Sequence, residues 1–342
     1  METNNKNISR TEDKYDLLKM VLAFLIVILH TSMTPEWGIP VVRMAVPLFF
    51  MLTAFFFFRK YDNEKDKNKR HDILLRFQKR NLYLYLFWLV VLLLPTLALR
   101  WRLWFSDGVL MGGVRFVQSF FFGSTFRASW FLMASIIATS IIASIPKKIK
   151  IEYIICASFV AYVFSCLGSS YYHIGENVSE VIDAFELWVG PPHRNFIVAL
   201  LWISFGKYFV NHKLPLPNAA LIPLIILALC CLYFEYYLVI SHGWMKAHDS
   251  FLSLSLVCPL IFQYVQNCKP ITWPWIRDYR SLSVITYCLH ATIVRFFVNG
   301  LKILKCPFIN ETSFLLVLVC CYCAFCIIKK YETKYPILKY SY

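Results

Sequence analysis

Ten stretches of this 342-residue chain stay apolar for close to twenty residues each: 15–33, 41–58, 80–99, 128–145, 150–167, 194–211, 218–240, 247–266, 279–299 and 312–329. A helix rising about 1.5 Å per residue crosses roughly 30 Å of hydrocarbon in that length. Backbone in hydrocarbon must satisfy its own N–H and C=O groups. Long runs without period-2 alternation do so as helices and not as the strands of a barrel. Hydrophobic residues make up 58% of the chain and charged residues 16%, more apolar surface than a soluble core of this size needs. The predicted fold class is all-α: one polytopic integral membrane bundle of about ten transmembrane helices, with residues 1–342 as a single domain.

The net charge of +15 reads first as an acidic partner, but its distribution follows topology. With both termini cytoplasmic, the inner segments carry 25 of the 35 Lys and Arg, so the positive-inside rule fixes the orientation. The densest stretch is the cytoplasmic loop 59–80, "RKYDNEKDKNKRHDILLRFQKR". It lacks interleaved aromatics and a folded frame, so it fits an anionic lipid leaflet and not a nucleic acid. The first 14 residues are polar, and no small-residue cleavage site follows the first apolar run. A retained first helix is therefore expected, not a signal peptide. Most of the twelve Cys lie inside apolar runs as small fillers. Cys323 and Cys326 have CxxC spacing without a second pair, so no metal site is expected.

The first run, "KMVLAFLIVILHTS", is bracketed by Lys19 and His30. At about 100° per residue, eleven residues bring the chain back to within about 20° of the same face, roughly 16 Å further along. Asp16, three residues before Lys19, is placed to pair with the ammonium. Lys19 snorkelling to the boundary and His30 capping the far end is the plain alternative. In "RSLSVITYCLH" (280 to 290), Ser283, Tyr287 and His290 share one helix face, with His290 about 15 Å beyond Arg280. Two imidazoles at matching depth on polar stripes belong in a cavity, since a lipid-facing polar group costs several kcal/mol.

The blocks "YDLLKMVLAFLIVILHTS", "VPLFFMLTAFFFFRK" (46 to 60), "RFQKRNLYLYLFW" (76 to 88), "SWFL" (129 to 132), "HRNFIVALLWISFGKYF" (193 to 209) and "LSVITYCLHATIV" (282 to 294) resemble, in order, those of the acyltransferase family 3 membrane proteins. The resemblance implies a ten-helix bundle of the bacterial cytoplasmic (inner) membrane. Such a bundle takes acyl groups, usually acetyl, from cytoplasmic acetyl-CoA to hydroxyls of cell-envelope glycans. It implies that His30 matches the histidine of the family's Arg, ten residues, His motif, with Lys19 in place of the Arg. Lysine keeps the charge but lacks the planar fork that grips a phosphate with two parallel bonds. Thr53-Ala54-Phe55 stands where Ser-Gly-Phe is usual, which leaves less room for close backbone approach. By the same resemblance, Arg76 and Arg80 fall on inner basic positions, Trp130 on the "SWFL" block, and Arg194 with Asn195 on an outer motif.

Acyl transfer to an alcohol needs a base for the attacking hydroxyl and donors for the oxyanion. His30 is assigned as the base, with an acyl-histidine as the variant. Tyr287 and Ser283 are candidates for the oxyanion, and His290 for orienting the acceptor or relaying the proton. Lys19, oriented by Asp16, together with Arg76, Lys79, Arg80 and Arg280, is expected to hold the coenzyme phosphates. The acceptor, an envelope polysaccharide, lipopolysaccharide or lipid-linked sugar, is expected to meet the outer loops. Loop 100–127 offers four Arg with Trp101 and Trp104 and has the character of a re-entrant amphipathic helix. Loop 168–193 carries Glu176, Glu180, Asp183 and Glu186. Glu235, within an apolar run, is expected to pair with Arg43, Arg295 or a Tyr hydroxyl, structurally or at the acceptor site. A separate transfer partner, a transporter of glycans or lipid-linked sugars, and an inactive binding relative are the alternatives that the residues leave open.

Overall fold

The computed structural model describes the backbone over residues 2–271 and 276–342, and side chains from Asp13 onward except at 99, 272–275 and 277. The inner basic segment 269–280 therefore lies partly outside the described residues. The described chain is helical, with no β-strand. In order it forms α1 (Glu2–His30), α2 (Ile39–Val42), α3 (Ala45–Tyr61), α4 (Lys67–Val91) and α5 (Leu93–Phe105). There follow α6 (Val109–Phe122), α7 (Trp130–Ser144), α8 (Ile151–Leu167), α9 (Glu176–Val189) and α10 (Phe196–Asn211). The chain closes with α11 (Asn218–Ser241), α12 (Leu254–Asn267), α13 (Ile276–Ile303) and α14 (Ile309–Tyr331).

Each of the ten apolar runs falls on helix, with two corrections that bear on the site. The run 80–99 is broken at Leu92, because Pro95 brings no N–H to a helical ladder and is tolerated only in the first turn of a new helix, α5. The run 247–266 is helical only from Leu254, and residues 242–253 form a loop. The segment 100–127 folds as the end of α5 and the amphipathic α6, and 168–193 contributes α9.

Among the described residues, four stretches are long and apolar enough to cross a membrane: Glu36–Tyr61, α11, Asp278–Ile303 of α13, and α14. In the most apolar windows of α11 and α14 only 28% of residues are buried within the protein. Leu227, Phe234, Leu315 and Val319 are each more than half exposed. Water does not tolerate a belt of this kind on a monomer, whereas lipid does. The chain is accordingly a helical membrane protein.

The interior is organised on α10, which packs against α3, α7 and α8, while α1 lies against α13 and α3. Gly206 lets α10 approach α3 closely: a Cβ there would stand 2.4 Å from the Met51 carbonyl oxygen and 2.6 Å from the Ala54 Cβ. Ala54, present where the resembling family has glycine, is fully buried against this glycine. The missing volume is thus on the partner helix.

The loop 242–253 is pinned from three sides. Glu235 accepts from the Tyr171 hydroxyl at 2.6 Å and from the backbone N–H groups of Leu252 and Ser253 at 2.5 and 2.7 Å. Ser169 accepts from the Asp249 N–H at 3.0 Å and donates to the Ala247 carbonyl at 2.9 Å. Lys246 reaches Asp183 and Glu186 of α9 at 3.3 and 3.0 Å. A loop so held presents Asp249 at a fixed place.

Candidate active site

Helix α1 carries the polar groups that define the two ends of the bundle. At its Lys19 end, Asp16 is 1% exposed and holds two cations. Lys19 Nζ is 3.0 Å from one carboxylate oxygen, and Arg280 donates from Nη2 to the other at 2.9 Å and from Nε to both at 3.2 Å. Arg80 stands close enough to repel both Lys19 and Arg280. The Lys19 ammonium lies 4.7 Å and the Arg59 guanidinium 5.1 Å from the centre of the Phe56 ring. Several cations are therefore gathered on one buried carboxylate, with Arg280 still about half exposed.

At the other end, His30 is exposed into a cavity of about 220 Å³. Its apolar wall includes Val46, Trp130, Val198 and Trp202, and its polar wall Arg43, Arg100, Arg127, His193, Arg194, Asp249 and Tyr287. Among the described residues no hydrogen bond to the protein engages either nitrogen of His30. Its nearest aromatic neighbour is His290, with ring centroids 5.0 Å apart. His290 is fully buried, and its Nδ1 lies 2.9 Å from the Thr286 carbonyl oxygen, an acceptor only. That bond assigns the proton to Nδ1 and leaves Nε2 as a lone pair with no partner in the protein.

Asp249 organises the polar wall. Arg43 Nη1 bonds to one oxygen, while Arg194 donates to the other from Nη2 at 2.7 Å and from Nε at 3.0 Å. His193 Nε2 stands 3.5 Å from that second oxygen. Burial acts to raise the Asp249 carboxyl, but Arg43 and Arg194 outweigh it and hold it below the usual carboxylate range. Burial also pushes His193 down to about 4, so its ring is neutral near pH 7. Its Nδ1 is buried beside Gly168 without a partner. This orientation makes His193 a brace for Asp249.

A family model described as "Acyltransferase domain" matches residues 12–329, nearly the whole chain. The chain belongs to the acyltransferase 3 family. Two curated relatives, both named "Amino-acid racemase" and both from Enterococcus faecalis, are each 25% identical to it. One match runs over 324 residues, 89% of this chain and 44% of the relative. The other runs over 252 residues, 70% of this chain and 34% of the relative. The chain thus spans less than half the length of the curated relatives it matches, and their named activity is not carried over to it. No solved structure matches the chain.

As an acyltransferase 3 protein, the chain places its expected site residues unevenly. His30, Tyr287, Trp130 and Arg194 line the cavity, and His290 backs His30. Asp16, Lys19, Arg80 and Arg280 converge at the other end. Arg76 and Lys79 are exposed on α4, Arg76 bonded back to the Asp72 carbonyl at 3.2 Å, and no contact ties either to that cluster among the described residues.

Four expectations need correction. Ser283 is fully buried one turn from Arg280 and donates to its carbonyl at 2.9 Å, away from the cavity, so it is no oxyanion donor. Asn195 caps α10 by accepting from the Ile197 N–H at 2.9 Å. Glu235 meets one of its expected partners, a Tyr hydroxyl, in Tyr171, and its role is structural, holding the loop 242–253 through the Leu252 and Ser253 N–H groups, while Arg43 pairs with Asp249. Trp101 is 55% exposed against Phe105, and Trp104 is buried against Phe116. Helical phase explains Trp101, about 100° round α5 from the cavity-facing Arg100; Trp104 lies near the Arg100 face one turn on, where it is buried against Phe116 and does not line the cavity.

Sequence reasoning did not single out His193 or Asp249 as site residues, and it offered Arg100 and Arg127 only among the four Arg of loop 100–127. The signal for Asp249 was the polar cluster "SHGWMKAHDS" at 241–250, too polar for the first turns of a membrane helix. The cavity does not extend along α1 as far as Lys19. The cavity lining begins at Ile26, and the rings of Phe49, Phe131 and Tyr287 pack at 5.2–6.2 Å on its Lys19 side.

Proposed function

We propose that the protein transfers an acyl group, acetyl by preference, from acyl-coenzyme A at the Lys19 end to an acceptor hydroxyl at the His30 end. The reading places the Lys19 end in the cytoplasm of a bacterial inner membrane, with about ten helices crossing it. The acceptor is a cell-envelope glycan or lipid-linked sugar. The observation that carries the proposal is His30, an imidazole with both nitrogens free of protein partners, set in a guanidinium-lined cavity.

At neutral pH an unengaged imidazole accepts the proton of a hydroxyl as that oxygen attacks the thioester carbonyl. The C–O bond forms, the C–S bond breaks, and the proton passes from His30 to the departing thiolate, giving ester and free coenzyme thiol. The lone pair on His290 Nε2, unpartnered in this structure, is the acceptor to which His30 turns its N–H when it takes up the proton. Arg43, whose charge acts on His30 and whose buried Nε has no partner, is the candidate to meet the oxyanion. At the Lys19 end, Lys19, Arg80 and Arg280 bind phosphates in competition with Asp16. The acyl arm then passes the Phe49, Phe131 and Tyr287 rings, which must part for each transfer.

That aromatic layer also favours a second reading, a transporter of an anionic or glycan solute held with one side open. Incubating the purified protein with acetyl-labelled coenzyme separates the two. Transfer or release of label that is lost in His30→Ala supports the enzyme, and uptake without thioester cleavage supports the transporter.

A further inference from the structure

The cavity around His30 is lined by four guanidinium groups, Arg43, Arg100, Arg127 and Arg194, against one carboxylate, Asp249. Asp249 is committed to Arg43 and Arg194. Among the described residues Arg100 and Arg127 have neither an ion-pair nor a hydrogen-bond partner. They stand close enough to repel each other, and Arg194 and Arg295 add to the repulsion on both. Like charges gathered in a partly desolvated cavity destabilise the fold unless an anion completes them. The buried Arg43 Nε, also without a partner, adds one more unmet donor to the same wall.

Guanidinium groups in such a setting grip carboxylate or phosphate through paired N–H donors. The same lining includes Trp130, Val46 and Val198, apolar surface of the kind that a sugar ring packs on. The cavity, at about 220 Å³, has room for a sugar ring with its substituents.

We infer that the acceptor is an anionic sugar, whose carboxylate or phosphate is held by Arg100 and Arg127 while a hydroxyl of the same ring meets His30. This rests on the acyl-transfer reading for the role of His30, but the charge preference is measurable without any donor.

Full-length protein in phosphatidylcholine nanodiscs, with no acyl-coenzyme A, is titrated with methyl glucuronide, glucose 6-phosphate and neutral methyl glucoside. At least one anion is expected to bind tenfold or more tightly than the glucoside. The preference is expected to fall below threefold in Arg100→Gln/Arg127→Gln and to be partly restored in Arg100→Lys/Arg127→Lys. Gel filtration and circular dichroism check that the variants fold. If they do not, the preference of the wild type and its loss at high salt decide the matter.

Equal binding of the glucoside, no binding of either anion, or a preference that survives the double glutamine variant overturns the inference. So does loss of glucuronide binding when phosphatidylglycerol replaces phosphatidylcholine, which would assign the site to a lipid headgroup. Labelled acetyl transfer measured on the same samples keeps the two claims apart. Anion preference without transfer sinks the acyl-transfer reading alone, and transfer to neutral and anionic sugars alike sinks this inference alone.

Discussion

The imidazoles of His30 and His290 face one another across α1 and α13, with centroids 5.0 Å apart and planes tilted by 47°. One ring opens to the cavity. The other is buried with its Nδ1–H committed to Thr286. The pair therefore has a defined direction: His290 can accept from His30, and His30 can take a proton from solution.

Replacing His290 by alanine removes that acceptor without touching the cavity wall. The variant is expected to keep its cavity ligands while kcat falls about 10–100-fold, less than the ~10²–10⁴ of a general base itself. The pH profile of kcat is expected to shift as well. A change in thermal stability with an unaltered pH profile would make His290 a packing residue only.

Asp249→Asn removes the charge that holds Arg43 and Arg194. Because Asp249 keeps 15% exposure, the loss is expected near roughly 3 kcal/mol, the lower end for a buried pair. The folded carboxyl lies below its ordinary value, so its contribution is complete above an unfolded pKa of about 3.9 and is lost as pH falls through the lower folded value. Thermal melts of wild type and variant should thus differ fully above about pH 4 and converge as pH falls from there toward the lower folded value. A gap independent of pH would contradict the charge account.

Tyr287 lines the cavity, yet its hydroxyl donates to the Ala128 carbonyl at 2.6 Å. Ala128 has φ of 68°, a left-handed backbone uncommon for a residue with a side chain, and this bond helps hold it there. Tyr287→Phe should lower the melting temperature while leaving kcat within about threefold. A fall of about 10²-fold or more, the loss typical of an oxyanion donor, would give the hydroxyl that role instead.

Gly206→Ala forces a methyl group to 2.4 Å from the Met51 carbonyl oxygen. The α3–α10 contact must then open, at about 1–3 kcal/mol by the usual scale of overpacking. Combining it with Ala54→Gly should recover part of the loss, since the Ala54 methyl is the second group in the way. Additive effects of the two substitutions in melting experiments would rule out this contact as the cause.

Helical periodicity made some of this legible in advance. The ten apolar runs, the Asp16–Lys19 pair at i, i+3 and the matched depth of two histidines all follow from local geometry. What joins distant segments did not. Arg280 meeting Asp16, or Asp249 meeting Arg43 and Arg194, depends on how helices dock, which no spacing records. Trp101 and Trp104 show the same limit on one helix: their type suits an acceptor site, but the phase of α5 decides Trp101 and the packing of α6 on α5 decides Trp104. Ser283 and Asn195 were polar residues in suggestive places, and local backbone bonds account for both.

The central claim is that His30 is the base for acyl transfer, and acetyl-labelled coenzyme with purified protein tests it most directly. Free thiol should appear with the wild type and drop at least about 10²-fold in a folded His30→Ala variant that still binds the coenzyme. Thiol release at the wild-type rate from that variant would contradict the account.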